Sequence, residues 1–155
     1  MNTIQKILAN IVLKTIELNK VYLPNESVVI NYSAIFCQDT AEYRQFNKEA
    51  SQIGEIFEDT PTGTLFKCKK PLQTPAGPLQ LIKVRKPDIA RFQRGDADFI
   101  LSDYYSFKDG HLKNEEHFKL IERENYEMIE LSDKEFDVLC YFSNIPLIVQ
   151  SGMQK

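Results

Sequence analysis

Charged and apolar residues alternate along three segments of the sequence that are typical of β-strands. Successive side chains of a strand point to opposite faces, so in each segment the charged residues share one face. These faces carry Asp96 and Asp98 in residues 96–101, Lys83 and Arg85 in residues 79–85, and Glu130 in residues 126–131. Two interpretations stay open: the charged faces point into solvent, or the strands curl so that the faces line a common cup.

Other residue types that carry chemistry do not form a recognisable motif. His111 and His117 lack the spacing of the HxxxH and HExxH metal sites, and we expect both to be exposed. The cysteines Cys37, Cys68 and Cys140 are odd in number and lack a CxxC pair, which indicates buried free thiols in a reducing compartment. Glycine-rich nucleotide-binding and GxSxG nucleophile motifs are missing from the sequence.

The composition is that of a globular protein. The 155 residues are 43% hydrophobic and 26% charged, which is enough apolar material for one domain with its own core. The net charge of −3 argues against a nucleic-acid partner, and no apolar stretch is long enough to cross a membrane. The basic run from Lys83 to Arg94 is interpreted as a solvated linker, with phosphate contact as the alternative. We expect a cytoplasmic location.

The first half of the sequence predicts a helix followed by one mixed module. Apolar residues recur at helical spacing in residues 3–18, and Asp39 is a suitable N-cap for a second helix. The predicted elements are a helix over 3–18, a strand over 28–37, a helix over 40–53, and strands over 55–58, 64–69 and 79–85, with a stiff proline-rich connection before the last strand.

The second half repeats the same element order in a shorter form after a linker over 87–94. Its predicted elements are a strand over 96–101, a helix from Ser102 or Asp103 to about Leu112, strands over 118–123 and 126–131, a final helix from Ser132, and a loose tail from Gln150. The spacing of the apolar residues also predicts a set of core side chains: Phe46, Ala50, Ile53, Phe99, Leu101 and Phe107.

Two tandem modules of this kind resemble the vicinal-oxygen-chelate superfamily, which includes glyoxalases, bleomycin-resistance proteins and extradiol dioxygenases. The chain is similar to the small YecM-like branch, which carries an N-terminal helical extension. The resemblance covers residues 28–142 and is carried by the segments 30–35, 81–87, 94–101 and 118–131. It implies an α+β fold in which two tandem βαβββ-like modules form a curled sheet or cup. The expected organisation is a single domain over 1–155, with the extension over 1–27, module 1 over 28–86 and module 2 over 95–142.

The resemblance also implies where the site lies, on the first and last strands of each module. The matching positions in this sequence are Tyr32, Arg85, Asp96 and Glu130. Members of the superfamily usually hold a metal there with His or Gln, Glu, His and Glu, whereas this sequence keeps acids at two of the four positions. We therefore expect a degenerate metal site and no metal cofactor, with a divalent metal as the alternative.

Two functions follow from this cup. The first is binding of a small anionic molecule, with Arg85 and Lys83 holding the anion and Tyr32 and Asp98 as further contacts. The alternative is a lyase-, isomerase- or dioxygenase-like enzyme in which Asp96 or Glu130 is the general acid or base. Nucleic acid and membrane are not expected partners, and the oligomeric state is left open.

Overall fold

The chain begins with a helix, α1 (Thr3–Tyr22), and continues as two successive modules in the computed structural model, which describes residues 1–145. Module 1 consists of β1 (Val28–Phe36), α2 (Thr40–Ile53), β2 (Gly54–Thr60), β3 (Gly63–Thr74) and β4 (Gly77–Arg85). Module 2 consists of β5 (Gly95–Leu101), α3 (Tyr104–His111), β6 (Phe118–Glu122), β7 (Glu127–Leu131) and β8 (Val138–Ser143).

Polar side chains determine where each helix begins. Asn2 and Gln5 form a reciprocal capping box at the start of α1. Asp39 accepts a hydrogen bond from the backbone N–H of Glu42 at 2.8 Å, so α2 begins where the sequence predicts. Asp103 caps α3 in the same way. The helix α1 continues to Tyr22, further than the predicted end at residue 18.

All eight strands belong to one sheet with the order β2-β3-β4-β1-β5-β8-β7-β6. In each module the first strand pairs in parallel with the last, and the remaining neighbours are antiparallel. The modules meet at the centre of the sheet, where β1 and β5 pair antiparallel. The two modules thus have the same strand order, and the predicted α+β architecture of tandem βαβββ modules is confirmed.

The helices cover one face of the sheet, and the other face forms the cup. Side chains from α1, α2 and α3 share one large core with inward-facing residues of both modules. The opposite face carries a smaller cluster around Ala34, Phe36, Leu139 and Tyr141. On that face one cavity is lined by residues of both β4 and β6, which are five strand steps apart. A flat sheet would separate those strands by about 24 Å, so the sheet curls around the cavity without closing.

The predicted final helix from Ser132 is wrong, because residues 138–143 form the strand β8. Asp133 does act as a local cap, but the backbone N–H of Phe136 bonds back to its carbonyl and closes a turn. Every residue of β8 is buried, with one face in the helix-side core and the other on the cup. A strand buried on both faces has no apolar–polar alternation, which is why the pattern was misread. The strand completes module 2.

The predicted proline-rich connection between residues 69 and 79 is also wrong. Here β3 continues to Thr74 and β4 starts at Gly77, so the two strands form a tight hairpin. A register shift between Lys67 and Leu72 accommodates Pro71, because a bulge does not require the N–H that proline lacks. Gly77 has a φ of +110°, which suits glycine in the turn.

Most of the predicted core residues are buried. Phe46, Ala50, Phe99 and Phe107 are at most 2% exposed, whereas Ile53 and Leu101 are partly buried at the margin of the core. The three cysteines are buried free thiols, as predicted. The predicted loose tail from Gln150 lies outside the described residues. Within residues 1–145, no helix has both the length and the apolar character to cross a membrane.

Candidate functional site

The concave face of the curled sheet holds a cavity of about 330 Å³. It receives side chains from β1, β4, β5, β6, β7 and β8 and from neighbouring loops. The lining residues are Tyr32, Thr62, Lys83, Arg85, Arg91, Asp96, Asp98, Ile121, Arg123, Tyr126, Met128, Tyr141 and Ser143. We call this cavity the cup.

Strand register explains the arrangement of the cup floor. Ala34 on β1 is the direct partner of Lys83 on β4 and of Asp96 on β5, so these three residues form one row across the sheet. Ala34 itself is buried and packs with Phe36, Leu139 and Tyr141. The adjacent row places Tyr32 beside Asp98.

Asp96 is a buried acid with an unmet hydrogen-bonding atom. It is 4% exposed, and its Oδ1 has no hydrogen-bond partner among the described residues. Burial raises the pKa of Asp96 to about 7, although the charges of Arg85 and Lys83 act in the opposite direction. A buried carboxyl with this pKa can hold or release a proton near neutral pH.

Asp98 is equally buried but has protein partners. Its two carboxylate oxygens accept hydrogen bonds from Asn31 Nδ2 and Ser143 Oγ, both at 3.3 Å. A register shift between Ile30 and Tyr32 aims Asn31 at this acid. Burial raises the pKa of Asp98 to about 8, and the nearby charge of Asp96 adds to the shift.

Arg85 is a half-buried cation of the cup that forms no ion pair in the described part of the chain. Its guanidinium lies over the ring of Phe36, 4.9 Å from the ring centroid. Within residues 1–145 it makes neither a hydrogen bond to a side chain or carbonyl nor an ion pair. The adjacent Lys83 donates to Thr62 Oγ1 at 2.7 Å, and burial together with the charge of Arg85 lowers the pKa of Lys83.

Glu130 lies on β7, next to the last strand of its module rather than on it. The last strand is β8, so the position that corresponds to Arg85 on β4 belongs to that strand, where Tyr141 lines the cup. Tyr141 donates its hydroxyl hydrogen to Glu130 at 2.7 Å, and Arg91 lies 3.9 Å from the same carboxylate. Burial raises the pKa of Tyr141, and Asp96 and Glu130 add to the shift.

The structure brings five of the six predicted site residues into the lining of the cup: Tyr32, Lys83, Arg85, Asp96 and Asp98. Glu130 is not in the lining and contacts the cup through Tyr141 and Arg91. Sequence reasoning missed Tyr141 and Ser143, because β8 was taken for a helix. It also missed Asn31, whose orientation depends on a register shift that leaves no signal in the sequence.

The basic residues between Lys83 and Arg94 have two different roles: some line the cup and one stabilises the fold. Arg91 joins the cup, so the interpretation of the whole run as a solvated linker is wrong for Lys83, Arg85 and Arg91. Arg94 is structural, since its guanidinium forms two hydrogen bonds with the carboxylate of Glu42 on α2 and one with the carbonyl of Phe36.

The donor set of the cup does not suit a divalent metal ion. No group of three or more His, Cys, Asp or Glu side chains within residues 1–145 is close enough to hold one. Asp96 instead faces the cations Lys83 and Arg85, which would repel a metal ion. The two histidines are far from this chemistry: His111 and His117 pack with rings on the helix side and are partly buried, not exposed as predicted.

Comparisons with known proteins show a likeness to a solved structure. No family model matches the chain, and no curated protein matches it. A solved structure described as "Structural Genomics, Protein EC4020" has a TM-score of 0.71 at 14% identity, covering 96% of this chain and 89% of its own. A glyoxalase/bleomycin resistance protein/dioxygenase superfamily member from Vibrio splendidus 12B01 has a TM-score of 0.49 at 8% identity, covering 77% and 98%. The likeness to the first structure is one of fold alone, and the paired modules have the architecture that the resemblance implies.

Proposed function

We propose that the protein binds a small anionic molecule in the cup. The observation that carries this proposal is the guanidinium of Arg85, which lines the cavity without an ion-pair partner among the described residues. A guanidinium offers planar, paired N–H donors that match a carboxylate or phosphate group. A half-buried cation that no protein group neutralises is stabilised by an anion from outside.

The charge balance of the cup favours an anion as well. Four cations line it: Lys83, Arg85, Arg91 and Arg123. The acids of the lining are Asp96 and Asp98, whose raised pKa values of about 7 and about 8 leave both carboxyls partly protonated at neutral pH. The cavity therefore has an excess of positive charge near pH 7, which attracts small anions.

A second candidate function is acid–base catalysis on the same ligand. Asp96 favours it, because a general acid or base works best when its pKa lies near the working pH. Its carboxyl lines the cup and would accept a proton from a ligand held by Arg85 and later return it. Of the two predicted catalytic acids, Asp96 suits this role better, since Glu130 is engaged by Tyr141 and Arg91.

The finer parts of the assignment belong to the same proposal. We infer that the cup works without a resident metal ion, since the charge of Arg85 occupies the position that the resemblance gives to a metal ligand. Membership of the YecM-like branch is proposed on the N-terminal helix and the two-module order. Nucleic acid is not a proposed partner, because the cavity is enclosed by a curled sheet and is too small for a nucleic-acid groove contact.

We expect the Arg85→Gln protein to lose at least tenfold in affinity for small anions, because a hydrogen-bonded ion pair is worth about 1.5–3 kcal/mol. Isothermal titration of the natural protein with a panel of carboxylates and phosphates measures this. Arg44→Gln is the matched control, since Arg44 is an exposed arginine on α2, on the opposite side of the sheet. The proposal fails if no anion binds the natural protein, or if both variants bind anions equally well.

A further inference from the structure

We propose that the ligand of the cup is a small hydroxylated anion, a molecule that carries a hydroxyl group close to its carboxylate or phosphate. This inference rests on the proposed anion-binding function and adds a second recognition element. The guanidinium of Arg85 and the carboxyl of Asp96 both line the cavity, and neither forms a hydrogen bond to another side chain or an ion pair among the described residues. The ligand that satisfies both presents an anion to the first and a hydrogen-bond donor to the second.

The geometry of the sheet allows one small molecule to reach both groups. Lys83 on β4 and Asp96 on β5 flank Ala34, so their backbones are two strand steps apart, about 10 Å. Arg85 follows two positions after Lys83 on the same face of β4. The charge of Arg85 acts on Asp96, yet the two side chains form no ion pair within 4.0 Å. The charged groups of these two residues are therefore more than 4.0 Å apart within one cavity.

The surroundings of Asp96 determine which donor fits. An ammonium group would also bond to this carboxylate, but it would lie among the cations Lys83, Arg85 and Arg91, which repel it. A hydroxyl group carries no charge and donates one hydrogen bond, which the carboxyl of Asp96 can accept where it lines the cup. The site thus prefers a hydroxy acid to the corresponding amino acid, and to the acid without a substituent.

The experiment compares ligands that differ in one group. Calorimetric titration with lactate, propionate and alanine forms the carboxylate arm, and glycerol phosphate against propyl phosphate forms the phosphate arm. We expect the hydroxylated ligand of an arm to bind about tenfold more tightly than its unsubstituted partner, as a hydrogen bond to a charged group predicts. We expect alanine to bind more weakly than lactate.

Variants of the protein show which residue causes the preference for the hydroxylated ligand. Asp96→Ala should reduce the ratio of hydroxylated to unsubstituted affinity to about one, while Asp109→Ala, an exposed acid on α3, should leave the ratio unchanged. Asp96→Asn replaces the alanine variant if that protein does not fold, and should lower the ratio several-fold. Arg85→Gln should weaken both ligands of a pair equally.

The outcomes separate this inference from the function on which it rests. A tenfold hydroxyl preference in either arm that Asp96→Ala removes supports it. Equal affinity for lactate and propionate, and for the two phosphates, overturns the hydroxyl assignment but keeps anion binding if Arg85→Gln still abolishes it. Tighter binding of alanine than lactate overturns it as well. Absence of binding by every anion overturns the proposed function and this inference together.

Discussion

The Asp96→Asn protein is expected to be more stable than the natural protein at pH 8, by on the order of 4 kcal/mol in the free energy of unfolding. Asp96 is 4% exposed, and burial raises its pKa from 3.8 to about 7. At pH 8 this carboxyl is charged in the folded and unfolded states alike, and the folded state bears the cost of a buried charge. Each pKa unit of the shift corresponds to about 1.4 kcal/mol, and the neutral amide of Asn avoids that cost.

The direction of the pH dependence follows from the raised pKa. Between about pH 4 and pH 7, Asp96 keeps its proton in the folded state and has lost it in the unfolded state. Unfolding then releases a proton, so stability falls by about 1.4 kcal/mol for each unit of rising pH. Asp98, whose pKa is raised to about 8, adds a decline of the same sign that extends further. Below about pH 4 neither acid contributes a penalty.

Urea denaturation at pH 5 and at pH 8 measures both effects. The natural protein should lose stability between the two pH values, and Asp96→Asn should lose less. Asp109→Asn makes the same chemical change on the exposed surface of α3 and serves as the control. Parallel pH profiles for the natural protein and Asp96→Asn would contradict the assignment of Asp96 as a buried acid.

A stability cost at this position is consistent with a role for the acid in binding. Burying two carboxyls on one face of β5 costs stability when they are charged. Two uncharged side chains of similar size would fill the same space without that cost. Functional groups commonly reduce stability in this way, because a site needs unmet polar atoms that a core would satisfy. A ligand hydroxyl bonded to Asp96 would recover part of this energy, so ligand binding and stability are coupled.

The sequence allowed the cup to be predicted wherever strands alternate. In β5 the acids Asp96 and Asp98 face the cup, while Ala97 and Phe99 face the helix-side core. This division follows from the alternation of side chains along a strand. The same argument correctly placed Lys83 and Arg85 on one face of β4. The alternation of side chains does not show the curl of the sheet, because curvature depends on how all eight strands pack against the helices.

The errors have a common physical cause. The strand β8 is apolar on both faces, and Ser132 with Glu135 imitated a helical capping box. A segment buried on both sides gives the same pattern in a strand as in a helix, and only its short length favoured a strand. Asn31 and Arg91 were missed for a related reason: a register shift aims the first, and a loop carries the second. Neither leaves a periodic signal.

The Phe99→Ala protein is expected to lose about 3–5 kcal/mol of unfolding free energy, the cost of emptying a fully buried aromatic site. Phe99 lies on β5 at the centre of the sheet and is 0% exposed. Its ring stacks on that of Phe142 on β8, with centroids 6.0 Å apart, and Phe142 in turn contacts Phe107 on α3. The substitution therefore leaves a cavity where the central strands meet the helix-side core.

Chemical denaturation measures this loss, with Phe92→Ala as the matched control. Phe92 is 63% exposed in the segment between β4 and β5, so its removal should change stability by less than about 0.5 kcal/mol. A loss below about 1 kcal/mol for Phe99→Ala would show that this face of β5 is not buried. Because side chains alternate along the strand, Asp96 and Asp98 would then face the other way, into a core instead of a cup. The stability of one phenylalanine thus tests the orientation of the whole site.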